Sequence, residues 1–189
     1  IFETLVYLGQ DYTIYPGLAT AWSANDDKTV WTFTIRDGVS FHNGDPLTPQ
    51  GVADQFEFAR SNTDLLGGSW SQLSEPLAGV SVDGNDVTVT FKAPRPDLLI
   101  EIADPGFGIS DIAYITKVGQ QGGYEPIGTG PFMFKEWVSG SHITLVRNPN
   151  WTWGSPMFGT SGPAPLDELV FRFIPDAQTR LPTPEAGAT

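Results

Sequence analysis

Residues 30–60, VWTFTIRDGVSFHNGDPLTPQGVADQFEFAR, change their hydrophobic period halfway along, and that change decides the fold class. From Val30 to Arg36 the pattern alternates, with Trp31, Phe33 and Ile35 on one face and Val30, Thr32, Thr34 and Arg36 on the other, as in a half-buried strand. Further on, apolar residues recur at Val52, Phe56 and Ala59, the spacing of an amphipathic helix. Thr48 stands at the N-cap and Pro49 at the first helical position, where its missing N–H costs nothing. Phe58 falls off the stripe, so the helix packs on two sides or Phe58 meets a neighbouring segment; Gly51 weakens the helix slightly. Between the two periods lies the turn-rich octet FHNGDPLT, 41–48. Phe41 closes the strand, Asn43-Gly44 turn the chain and Pro46 stiffens the exit. The chain is therefore expected to be mixed α/β.

Upstream, SANDDK at 23–28 is a turn cluster expected to join this strand to an earlier one near LVYL, 5–8. Downstream, VSVDGNDVTVTFKAP, 80–94, reads as a β-hairpin turning at Asp83-Gly84-Asn85. PDLLIEIAD, 96–104, reads as a short buried helix closed by Pro105 and Gly106, and DIAYITKVG, 111–119, as a weaker one. From Pro126 the pattern turns to strands: GPFMFKEWV, SHITLVRN and ELVFRFIP, the last apolar on both faces as if covered on both. The long loop 148–167, NPNWTWGSPMFGTSGPAPLD, is of a length that is usually functional or docked. The ends read as cut: Ile1 begins an apolar run without a cap, and a helix starting at the N-cap candidate Asp176 runs into Pro182 and Pro184.

The 189 residues are 40% hydrophobic, a globular composition for one or two domains. A net charge of −12 without a Lys/Arg cluster argues against nucleic acid as a partner. Without cysteine there is no disulfide framework, thiolate catalysis or Cys-based zinc site, and no apolar run approaches the roughly 20 residues that span a bilayer. His42 and His142 lie far apart without a second metal-type neighbour, so no metal site is expected and His42 reads as a turn residue. Asp26, Asp27, Asp37, Asp45 and Asp83 all occupy turn contexts, and no G-x-S-x-G elbow occurs. GTGP, 128–131, lacks the Lys of a phosphate loop and reads as a tight lead into a strand from Phe132. No catalytic set, and hence no enzyme, is expected.

Six tryptophans are the informative excess. Trp31 faces the core; Trp70, in GGSWSQLSEP, has no periodic partner and fits either the core or a pocket wall; Trp151 and Trp153 are read as pinning the long loop. Asn150-Trp151-Thr152 is a formal glycosylation sequon. Two rival readings stay open: a carbohydrate-binding platform of Trp70, Trp151 and Trp153, and a hydrolase using two turn carboxylates about 5–10 Å apart.

Taken together, LATAWSANDDKTVWTFTIRDGVSFHNGDPLTPQGVADQFEFAR, 18–60, resembles the signature region of the bacterial extracellular solute-binding proteins that serve peptide ABC importers, the dipeptide and oligopeptide binders. Order and spacing agree as well as composition. PIGTGPFMFKEWVSGSHITLVRNPNW, 126–151, resembles that family's G-T-G-P-[FY] strand and R-N-P-x-[YW] turn, and LDELVFRFIPDAQTRL, 166–181, the strand and hinge-side helix that follow. Pro184 departs from the family, which commonly carries a leucine there. The resemblance implies the first lobe, incomplete, of a two-lobed periplasmic-binding-protein-like fold, with 1–125 as its inserted α/β subdomain and 126–189 as part of the central sheet near the hinge. It implies capture of a small ligand by hinge closure, a peptide first and a nickel complex or oligosaccharide as alternatives, without a cofactor. It further implies ABC permease subunits as partners, a monomer when full length, and a periplasmic or extracellular location, tethered or free. Trp70, Phe107 and Gly108 fall where the family places first-lobe pocket walls. Lacking the other side of the cleft, these residues alone are expected to bind weakly.

Overall fold

Trp31, Phe33 and Ile35 lie on the buried face of a strand over Val30–Ile35, as their alternation requires. The computed structural model describes residues 1–61, 68–74, 76–159 and 162–175. In chain order, strands β1 (Val6–Leu8), β2 (Ile14–Pro16), β3 (Ala19–Ala24) and β4 (Val30–Ile35) precede helices α1 (Pro49–Ser61) and α2 (Gly68–Ser74). Strands β5 (Leu77–Asp83) and β6 (Asp86–Phe91) follow, then helices α3 (Leu98–Ile102) and α4 (Ile112–Val118), then β7 (Phe132–Val138), β8 (His142–Arg147) and β9 (Glu168–Arg172). The strands form three antiparallel sheets, β1-β2, β3-β4-β6-β5 and β7-β8-β9. Among the described residues no helix is long and apolar enough to cross a membrane.

The turn at SANDDK does not return to LVYL. It joins β4 to β3, with Trp22 opposite Phe33, while residues 6–8 pair with β2. A tight turn closes adjacent segments, and Leu5–Leu8 is separated from it by a hairpin of its own. The predicted hairpin 80–91 forms as read, with Gly84 at φ +56° in the turn. Thr48 caps α1: its Oγ1 accepts from Gly51 N–H at 3.0 Å. The helix lays Val52, Phe56 and Ala59 into the core, and Phe58 is half-buried.

The main core joins the four-stranded sheet to α1 and α2 and extends to Leu98 and Ile102 of α3 and to Phe107. Asp111 caps α4 through Tyr114 N–H at 3.0 Å. The three-stranded sheet differs. Val170 and Phe171, on opposite faces of β9, are 47% and 54% exposed, so the cover expected on both faces is not supplied by the described residues. The helix predicted from Asp176 lies outside the described residues.

Phe33 is fully buried at the centre of the sheet between β3 and β6. Phe33→Ala is expected to destabilise the fold by about 3–5 kcal/mol in denaturant unfolding; a loss below about 1 kcal/mol would contradict this packing.

Candidate functional site

Segments far apart in sequence meet around the GTGP turn, and backbone groups make most of the joint. The main-chain N–H of His42 donates to Gly128 O at 2.9 Å. Its ring Nδ1 accepts from Gly128 N–H at 3.3 Å, which leaves the proton on Nε2, and Nε2–H donates to Gly130 O at 2.9 Å. Asn148, from the NPNW turn, donates to the same carbonyl at 3.1 Å, and its own N–H reaches Pro131 O at 2.8 Å. From the other side Gly130 N–H donates to Ile1 O at 2.7 Å. A Cβ on residue 130 would sit 2.6 Å from that oxygen, and one on residue 128 closer still, so only glycine fits at either position. Burial lowers the His42 pKa below its ordinary value, so the ring is a neutral clamp near pH 7 with both nitrogens engaged.

Beside this turn lies a buried acid. Glu3 is 3% exposed, and its carboxylate collects three neutral donors. Thr129 Oγ1 donates to Oε2 at 2.8 Å; Trp151 Nε1 and the Tyr7 hydroxyl donate to Oε1 at 3.1 and 3.4 Å. Burial raises the Glu3 pKa to about 7, although all three bonds favour the ionised form. The same burial, with Glu3 beside it, pushes the Tyr7 phenol well up. Arg36 closes the group: its guanidinium lies 4.4 Å from the centre of the Trp153 ring and its Nε–H donates to Gly17 O at 3.2 Å.

The main chain of this segment reaches a second feature. Glu3 O accepts from Ile109 N–H at 2.8 Å, and a Cβ on Gly108 would stand 2.5 Å from Phe2 Cβ. Trp70, Phe107 and Gly108 are thus brought together, but the two rings turn inward. Trp70 and Phe107 are 3% and 4% exposed and stack edge-on at 5.4 Å, with Phe56 on the other side of Trp70. Trp70 Nε1–H donates to Gly108 O at 3.3 Å, which fixes the Pro105–Phe107 turn. What this corner presents to solvent is Asp104–Gly106 and the ring of Phe2, 43% exposed.

The carbohydrate platform of Trp70, Trp151 and Trp153 fails on geometry. Trp70 and Trp151 are buried and the planes of Trp151 and Trp153 differ by 43°, so these three rings form no flat exposed platform. Trp151 and Trp153 instead pin the long loop, as read. Asp27 accepts from Thr29, Asp37 from Asn85 and Asp45 from Asn43, each a turn contact. Asp45 shares the Asn43 amide with Asp111 at 2.8 Å each, in turn and helix-cap roles. Sequence reasoning missed Glu3 and underrated His42, whose ring does more than turn the chain. The available signal was an acid inside the apolar run IFETLVYL.

A folded-state pKa of about 7 against an ordinary 4.5 means that native Glu3 keeps a proton the unfolded chain has released across that window. Stability from this group is therefore full below about pH 4.5, falls as pH rises through about 7, and is flat above. The fall is about 3 kcal/mol at most. Glu3→Gln is expected to abolish that slope, whereas Glu3→Ala, which strands three buried donors, is expected to cost about 2–4 kcal/mol. Urea unfolding from pH 5 to 8 checks both, and an equal slope in Glu3→Gln would contradict the assignment.

Comparison with known proteins places these motifs in a family. The profile described as bacterial extracellular solute-binding proteins, family 5 Middle, matches residues 13–188. The chain is 30% identical over 190 residues to the nickel-binding periplasmic protein of Escherichia coli K12, covering 99% of this chain and 34% of that one. Its fold superposes on the binding protein AgaA of A. tumefaciens R10, solved with agropinic acid, at a TM-score of 0.80 and 26% identity, covering 95% of this chain and 35% of that one. It superposes on DppA of Helicobacter pylori, solved with the peptide STSA, at 0.77 and 26%, covering 95% and 38%. The chain thus spans about a third of the length of the relatives it matches. Its mixed α/β fold is that of part of a periplasmic binding protein, and the chain belongs to family 5 of the bacterial extracellular solute-binding proteins.

Proposed function

We propose that this chain is part of the ligand-capturing component of an ABC importer, working in the periplasm or outside the membrane with permease subunits. Its ligand is a di- or oligopeptide held by hinge closure of two lobes. The observation that carries the reading is the joint itself: FHNG, GTGP and NPNW, dispersed over more than a hundred positions, converge on one hydrogen-bonded turn. Such a joint serves rigid positioning, which suits a binder.

On this reading residues 1–125 are the inserted α/β subdomain and 126–189 belong to the central sheet. Trp70, Phe107 and Gly108 form the inner layer of a pocket wall whose outer layer is the Asp104–Gly106 backbone and Phe2. A turn presenting main chain beside an exposed ring suits peptide, whose recognition rests on backbone hydrogen bonds with apolar pockets for side chains. Relatives are named for nickel, D,D-dipeptides and di- or tripeptides, and peptide is the chemistry this wall favours.

Titration calorimetry of the full-length protein against di- and tripeptides, Ni(II)–L-histidine and oligosaccharides tests the proposal. Peptide is expected to bind with micromolar or tighter Kd and to reduce the radius of gyration, and Phe2→Ala to weaken binding about three- to tenfold. Absence of binding and compaction with every class would overturn it.

A further inference from the structure

We propose that Gln55 is a positioning residue for the ligand-facing wall, its buried amide fixing where the 105–110 loop stands against α1. The inference rests on the functional reading above. Gln55 follows Val52 by three residues and precedes Ala59 by four, so it lies on the stripe that α1 turns to the core, and it is 0% exposed. Its Oε1 accepts the Ser110 N–H at 3.0 Å. A main-chain N–H can only donate, so the oxygen must face Ser110 and the other end of the amide is Nε2, which meets no acceptor among the described residues. A buried amide with an unpaired donor costs stability that an apolar side chain of the same length would not. What the amide provides in return is its hold on Ser110.

That hold falls where it governs the wall. Residues 104–108 form a closed unit: Gly106 N–H donates to Asp104 Oδ1 at 2.8 Å, Phe107 N–H to Asp104 O at 2.9 Å and Gly108 N–H to Pro105 O at 3.2 Å. Such a turn moves as one piece, and three successive residues fasten it to the rest of the fold. Gly108 O takes the Trp70 indole N–H, Ile109 N–H goes to Glu3 O, and Ser110 N–H goes to Gln55. Helix α1 stands behind two of these three bonds, directly through Gln55 and indirectly through Phe56, whose ring meets Trp70 edge-on at 5.2 Å. Beyond Ser110 the chain is anchored separately, since Asp111 caps α4 and accepts the Asn43 amide at 2.8 Å. Ser110 itself is half-buried. Without Gln55 its N–H regains an acceptor by turning to water, and the exposed Asp104–Gly106 turn shifts with it.

The test compares the full-length natural protein with Gln55→Met, which keeps the side-chain length and loses the acceptor, and with Val89→Ala, a core truncation in β6. Hydrogen exchange of the 104–111 segment, the unfolding midpoint, and the Kd of trialanine and of Ni(II)–L-histidine are measured for all three. In Gln55→Met the segment is expected to exchange about tenfold faster or more, because its opening is local. The same variant is expected to bind about threefold more weakly or worse, with an unfolding midpoint no lower than that of the natural sequence. Val89→Ala is expected to lower the midpoint and to leave the Kd within about twofold. Unchanged exchange in Gln55→Met overturns the proposal. So does a Kd loss no larger than that of Val89→Ala, or one that comes with an equal fall in the midpoint, since either marks a merely structural role. Faster exchange with neither probe bound by the natural sequence would uphold the hold on the loop and sink the functional reading.

Discussion

The carbonyl oxygen of Ile1 lies against the backbone of Gly128 and Gly130, closer than any Cβ allows, and accepts the Gly130 N–H at 2.7 Å. This approach brings the start of the chain to the turn that leads into β7, and the other contacts of the joint fall into place around it. His42 closes the turn from one side and Asn148 from another. Glu3 follows two residues behind Ile1, its carboxylate delivered to Thr129 and Trp151. Two small residues thus allow two sheets and a long loop to share one anchoring point.

The joint combines main-chain bonds, whose geometry is fixed by the chain, with a buried carboxylate, whose desolvation is costly and only partly offset by neutral donors. Apolar residues at these positions would remove that cost but also the directional bonds. The Glu3 main chain meets Ile109 and its carboxylate meets Thr129, so one residue touches both the 105–110 loop and the GTGP turn.

Much of this was legible in the sequence and some of it was not. The strand-to-helix change at residues 30–60 shows directly in Trp31, Phe33 and Ile35 against Val52, Phe56 and Ala59, because local period reports which face is buried. Thr48 and Gly84 were legible for the same reason: capping and turn chemistry are local. The partner of β4 was misassigned because hairpin pairing depends on which segment lies nearest the turn, and LVYL had a nearer partner of its own. The role of His42 and the existence of the Glu3 site depend on contacts spanning 86 to 148 positions, which no local pattern encodes. Trp70 shows a third case: the sequence left it between core and pocket wall, and the ring is core while its N–H shapes the turn.

The central claim is that Glu3 and Trp151 act as one unit rather than as two independently buried side chains. A double-mutant cycle on unfolding free energy, with Glu3→Ala, Trp151→Phe and the pair at pH 8, tests it most directly. The structure predicts that the second substitution costs less once the first is made, with a coupling of about 1 kcal/mol or more. Effects that add to within about 0.3 kcal/mol would contradict it.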